Sequence, residues 1–140
     1  MTIHMPRLMV NVDLDERCFV FPEGKNIAQI RVLAMPPGDL VIEAAYAYNQ
    51  ARAAPRLFEL TAEDAPEFAR KLVDAVQRAQ TTHYVSEATK IAINVVANGY
   101  VLQIGDVDNT REIYLSTGCI WRVCNGLLRA IDQVSPSPSH

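Results

Sequence analysis

Apolar residues alternate with polar ones in four stretches of the chain and recur at helical spacing in two. Ala28, Ile30, Val32 and Ala34 alternate with Ile27, Gln29, Arg31 and Leu33. Leu40, Ile42, Ala44, Tyr46 and Tyr48 follow on one side of the next stretch. A period of two is that of a strand, and Pro36-Pro37-Gly38-Asp39 between the runs predicts a hairpin turn. Ile91, Ile93 and Val95 repeat the alternation, as do Tyr100, Leu102 and Ile104. Asn98-Gly99 between them is a two-residue hairpin signal. Shorter runs at Cys18–Phe21, Arg56–Leu60, His83–Ser86 and Arg111–Leu115 read as short strands. Arg7 to Val12 reads as a strand or an arm. Phe68, Leu72, Val73, Val76 and Ala79 form the apolar stripe of one helix. Ile120, Val123, Cys124, Leu127, Leu128 and Ile131 form that of a second. Thr61 and Asp64-Ala65-Pro66-Glu67 read as a capped start with proline in the first turn; Ser116 or Thr117 is the expected cap of the second helix.

The second half of the chain repeats the order of the first. Ile30, Val32 and Ala34 lie 61 residues before Ile91, Ile93 and Val95. Leu40, Ile42 and Ala44 lie 60 before Tyr100, Leu102 and Ile104, and Leu72, Leu60 and Val76 lie 55 before Leu127, Leu115 and Ile131. The offset steps only where turns fall, and loops absorb deletions that packed elements do not. The expected fold is α+β: tandem ββββα repeats, about 17–82 and 83–134, forming a pseudo-two-fold intramolecular pair of antiparallel sheets with two helices. Residues 1–134 are expected to form one domain, and 135–140, Ser-Pro-Ser-Pro-Ser-His, a disordered tail. A unit of about 60 residues is marginal alone, so two would pack against each other and leave one sheet face free. Gln29, Arg31, Val41 and Glu43, then Lys90, Asn94, Gln103, Glu112 and Tyr114, fall on that face.

A length of 140 residues and a net charge of −3 describe an ordinary globular domain rather than a basic, general polyanion binder. Three cysteines without framework spacing point to a reducing, cytoplasmic setting. Cys119 and Cys124 are five apart on a helix and point apart, so they make no metal pair; all three read as packing residues. His4, His83 and His140 have no ligand at metal spacing, and Asp106, Asp108 and Asn109 lack the glycine and terminal Glu of a calcium loop. Glu63, Asp64 and Glu67 read as first-turn carboxylates favouring the helix dipole. The expectation is therefore a non-enzyme with no metal and no cofactor. The apolar runs are too short to span a bilayer, so no membrane association is expected. Trp121 reads as a packing or dimer-contact residue.

The order strand-strand-strand-strand-helix, given twice over Cys18–Gln80 and His83–Gln133, resembles the single-stranded-DNA-binding transcriptional regulator group. That group includes the PUR-alpha repeats, the Whirly proteins and a related transcriptional coactivator fold. Two repeats in one intramolecular domain resemble PUR-alpha in particular. The chain lacks the Lys-Gly-Lys run of the Whirly proteins. The resemblance implies a curved sheet that holds single strands through aromatic and basic side chains. It makes Arg31, Lys90, Asn94, Gln103 and Tyr114 the contact candidates.

Two functions follow as expectations. The first is a binding module for single-stranded DNA or RNA, using the free sheet face and the loop Ala47–Arg56, where Tyr48 and Arg52 suit stacking and phosphate contact. The alternative is a protein-interaction or assembly module, with a protein partner or a second copy and no nucleic acid. The acidic balance supports the alternative.

Overall fold

The structure, a computed structural model, describes residues 8–22, 24–35, 38–46, 56–105 and 110–134. The elements run β1 (Leu8–Asp13), β2 (Phe19–Phe21), β3 (Lys25–Met35), β4 (Asp39–Tyr46), β5 (Arg56–Leu60), α1 (Asp64–Arg78), β6 (Thr82–Val85), β7 (Lys90–Val96), β8 (Gly99–Ile104), β9 (Arg111–Ser116) and α2 (Thr117–Val134). The fold is α+β, and after β1 the order four strands then helix occurs twice. Tyr48, Arg52 and the tail lie outside the described residues.

Among the described residues the strands make one nine-stranded antiparallel sheet rather than a pair of sheets. The order is β5-β4-β3-β2-β9-β8-β7-β6, with β1 added beside β3. The joint is β2, which pairs with the first residues of β3 through Phe19↔Asn26 and with β9 through Phe19↔Tyr114. β1 lies along the remainder of β3, from Asp13↔Gln29 to Leu8↔Ala34. The sheet curls. Arg111 at the start of β9 donates to the carbonyl of Arg56 at the start of β5, although three strands separate them in the order.

Alternation sets the inner face as the sequence predicts, except that the register shift between Ile27 and Gln29 turns Ile27 inward and that Val95 is 36% exposed. Ile30, Val32, Ala34, Leu40, Ile42, Ala44, Ile91, Ile93 and Leu102 are all buried. The hairpin between β7 and β8 differs from expectation. Val96 pairs with Gly99, so Ala97 and Asn98 form the turn and Asn98 takes the positive φ of 64°. Gly99 belongs to β8 instead. A Cβ there would stand 2.4 Å from the Leu115 carbonyl oxygen, so the glycine serves close strand approach.

Both helices pack on the inner side. α2 rests on β1, β3, β8 and β9, and α1 lies against α2 and β6. Ile30 and Ile42 from one half, Leu102 and Ile113 from the other, and Phe68, Leu72, Val123 and Leu127 from the helices meet in one apolar core. The α1 stripe ends at Val76, because Ala79 is the left-handed C-cap at φ 51° and is exposed. On α2, Leu128 is a correction to the expected stripe at 45% exposed, and Trp121, 39% exposed, is not a core-packing residue, which leaves its dimer-contact reading open. They stand seven residues apart, on the side of the helix turned from the sheet.

Two glycines of α2 make opposite expectations. Gly126 faces β1, where an added Cβ would stand 2.6 Å from Val12 Cγ2; Gly118 has nothing within 4 Å. Buried, β-branched Val12 cannot swing aside. Gly126→Ala should destabilise by about 1–3 kcal/mol through overpacking. Gly118→Ala should stabilise by up to about 1 kcal/mol through helix propensity. Urea denaturation of the two variants beside the parent checks both signs.

Candidate functional site

The outer face of the second half of the sheet is built by parity. Ile91, Ile93, Leu102, Ile113 and Val20 point inward and are buried, which turns Ala92, Asn94, Val101, Gln103, Glu112, Tyr114, Phe19 and Phe21 outward. The register lines them up across the strands. One row runs Asn94–Val101–Tyr114–Phe19, and the next runs His83–Ala92–Gln103–Glu112–Phe21. At about 4.8 Å per strand the first row spans about 14 Å.

Three aromatic rings meet at the β9–β2 end of these rows. Phe19 stacks on Tyr114 with centroids 5.3 Å apart and planes 22° apart, and Phe21 meets Phe19 edge-on at 4.9 Å. Phe21 is 47% exposed. Tyr114 is held from the other side, since its hydroxyl donates to the Asn98 carbonyl at 3.0 Å and its ring lies across Gly99. The rings thus form a supported platform with open edges.

Four of the sequence-predicted contact residues share this face. Lys90 and Gln103 are exposed, and Asn94 and Tyr114 are half-buried. Arg31 does not join them. It lies on β3 between Asn11 and Glu43 of the neighbouring strands, five residues beyond the β2 joint, about 17 Å along the strand. Phe19 and Phe21 are the residues that sequence reasoning missed. Cys18-Phe19-Val20-Phe21 reads as a plain apolar run, yet the small residues Cys18 and Val20 are the buried ones and the rings face out.

Two polar clusters lie on the inner side, one at the start of each helix. Asp64 is the first residue of α1, and the expected Asp64–Glu67 capping box is absent, since the N-cap residue Glu63 makes no side-chain cap bond; Thr61 does cap the initial turn as expected, its Oγ1 accepting from the Asp64 N–H at 3.1 Å. The Asp64 carboxylate is turned inward. It accepts from the Tyr84 hydroxyl at 2.7 Å, the Ser86 hydroxyl at 3.0 Å and the Thr89 hydroxyl at 3.4 Å. Burial alone would raise the carboxyl, but the hydroxyls of Tyr84, Ser86, Thr61 and Thr89 outweigh it and hold the group below its ordinary value. The same contact, after burial, pushes Tyr84 up to about 12.

At the start of α2, Ser116 donates to Asp15 at 2.7 Å instead of capping the helix. The Arg17 N–H and guanidinium also donate to Asp15, at 2.9 and 3.1 Å, and Cys18 Sγ stands 3.6 Å from it. The Ser116 hydroxyl, ahead of the Arg17 donors, keeps this carboxyl far below the usual range despite partial burial. Burial pushes the Cys18 thiol up to about 12. Asp15, Cys18 and Cys119 bring one oxygen and two sulfurs within 4.8 Å of one another, which makes them the residues able to hold a metal ion among those described. None of the described helices is long and apolar enough to cross a membrane.

The depressed Asp64 value has a defined consequence. Its contribution is fully present above the unfolded value, about 3.9, and is lost as pH falls through the lower folded value. Asp64→Asn should cost about 1–3 kcal/mol at pH 7. It should also make the acid limb of stability shallower, with the remainder carried by groups such as Asp15. Denaturation midpoints at pH 7, 4.5 and 3 check this; an unchanged acid limb would show that Asp64 is not the linked group.

No protein-family model matches this chain, and no curated protein matches it in sequence.

Proposed function

We propose that this chain is a non-enzymatic binding module for single-stranded nucleic acid, and that its two ββββα units are copies related by a half-turn. The observation that carries the binding reading is the Phe19–Phe21–Tyr114 platform on an open sheet face, in register with Asn94 and Gln103. Any base can stack on such rings, and the amides can hydrogen-bond a base edge. Lys90 lies on the same face, and exposed Lys25 and Arg17 flank β2. Three free cysteines suit a reducing, cytoplasmic setting.

The half-turn reading rests on two correspondences. The order β5-β4-β3-β2 then β9-β8-β7-β6 presents the units in the same sense around a curled sheet. Each helix also begins against the other unit: Asp64 of α1 against Tyr84 of β6, and Ser116 and Cys119, at the start of α2, against Asp15 before β2.

A second reading is favoured by the exposed Trp121 and Leu128 on α2, together with Val85, 64% exposed on the terminal strand β6. Such apolar positions suit a protein partner or a second copy. A mass of twice the monomer by light scattering, without oligonucleotide binding, would establish it.

Anisotropy titration of a labelled single-stranded oligonucleotide at two salt concentrations tests the first reading. Binding should be dominated by stacking, with a salt slope of about −1 to −2 for two or so neutralised phosphates. Phe21→Ala should weaken it about 5- to 150-fold, in keeping with about 1–3 kcal/mol per stacked base. Lys90→Glu should weaken binding and flatten the slope, whereas Arg31→Glu, away from the platform, should change little. Absence of binding by the folded chain at low salt overturns the reading.

A further inference from the structure

We propose that Asp15, Cys18 and Cys119 form a binding site for a zinc-class divalent cation at the seam between the two halves of the sheet. Their ligand atoms lie within 4.8 Å of one another. Tetrahedral zinc, with bonds of about 2.3 Å to sulfur and about 2.0 Å to oxygen, sets neighbouring ligand atoms about 3.3–3.8 Å apart. Cys18 Sγ already stands 3.6 Å from Asp15 Oδ1 and 3.9 Å from Ser116 Oγ. Rotamer adjustments of about 1 Å therefore close the shell, within what side chains reach without moving the strands.

The donors come in two short-spaced pairs, Asp15-x-x-Cys18 and Ser116-x-x-Cys119, each an oxygen followed three residues later by a sulfur. The two pairs are brought together where β2 meets β9 and α2 begins. Two sulfurs and one carboxylate select zinc or cobalt over magnesium or calcium, which prefer all-oxygen shells. The fourth position falls to the Ser116 hydroxyl or a water. Two thiolates and a carboxylate leave one negative charge on a zinc complex, and the Arg17 guanidinium, 3.1 Å from Asp15 Oδ2, stands ready to balance it. Both sulfurs are buried, at 0% and 1% exposure, but the Asp15 side chain is 31% exposed, so the ion enters past the carboxylate. Each cysteine releases its S–H proton to solvent as the metal–sulfur bond forms, giving two protons per ion.

The experiment is a Co(II) titration of the full chain, reduced and stripped with a chelator. One equivalent should produce thiolate-to-cobalt charge-transfer absorption in the near ultraviolet and the visible bands of tetrahedral cobalt. Zinc should abolish both. The spectrum should be lost in Cys119→Ser and at least tenfold weaker in affinity in Asp15→Ala. It should persist in Cys124→Ser, whose buried thiol lies outside the cluster. Circular dichroism confirms that each variant is folded. If Cys119→Ser does not fold, the partly exposed Asp15→Ala still decides the matter. Absence of these bands in the folded parent, or their full retention in Asp15→Ala, overturns the proposal. So does a reduced chain that takes up no cobalt and instead forms a Cys18–Cys119 disulfide on oxidation by glutathione disulfide.

Discussion

β2 is three residues long, and the whole sheet runs through it. Phe19 and Val20 pair with the first two residues of β3 on one side, and Phe19 to Phe21 pair with β9 on the other. Few ladder bonds join the halves, so the joint cannot owe its stability to backbone pairing alone. Val20 is fully buried beneath it, and α2 spans it by resting on β1 and β3 in one half and on β8 and β9 in the other. The apolar side chains of α2 therefore hold the two halves in one curvature. The close approach at Gly126, where the helix backbone nearly meets Val12, measures how tightly they do so. Without that cover, a strand this short would leave two smaller sheets of marginal independent stability.

Polar groups that would ordinarily cap the helices are used at the same kind of place for a different purpose. Asp64 and Ser116 both stand at a helix start, where an oxygen can accept backbone N–H bonds. Instead Asp64 gathers hydroxyls from β6 and the residues after it, and Ser116 reaches Asp15 ahead of β2. Each contact joins a helix to elements outside its own four strands. A buried carboxylate ringed by donors is costly to misplace, because any other docking leaves it unsatisfied. These clusters thus specify which helix end meets which strand, a choice that non-directional apolar packing leaves open. Among the described residues no buried side-chain nitrogen or oxygen lacks a partner, in keeping with that role.

The elements were legible in the sequence because period two and helical spacing are local signals. Ile30, Val32 and Ala34, or Phe68, Leu72 and Val76, announce their buried face through nearest neighbours alone. The joining of the halves was not legible, since the pairing of Phe19 with Tyr114 spans most of the chain and leaves no local mark. The platform was half legible: Tyr114, Asn94 and Gln103 follow from the alternation of β7 to β9. Phe19 and Phe21 were hidden in a three-residue strand too short to reveal its inner side. Asp64 misled for a related reason. Asp-Ala-Pro-Glu has the composition of a helix start, and composition cannot tell an oxygen that caps from one that is buried against a distant tyrosine. The spacings Asp15-x-x-Cys18 and Ser116-x-x-Cys119 are local, but only the fold brings the two pairs together, and neither spacing alone nor the cysteine count marks them as one cluster.

The alternation of β2 places unlike chemistries back to back. Cys18 and Val20 face inward, Cys18 toward Asp15 and Ser116, while Phe19 and Phe21 face outward, Phe19 onto Tyr114. Adjacent residues on a strand share one backbone, so anything that shifts Cys18 tilts Phe19. On β9, Tyr114 faces outward, while Leu115 and Ser116, the last residues before α2, are both buried. An inner cluster tightened by a bound ion would therefore hold β2 against β9 and fix the separation of the stacked rings. A loosened one would let the two strands slide and would open the stack. For a chain of net charge −3, this matters more than it would for a basic one. On the proposed reading, such a chain would hold a polyanion mainly through the rings, so its affinity would depend on ring geometry and on the seam beneath it.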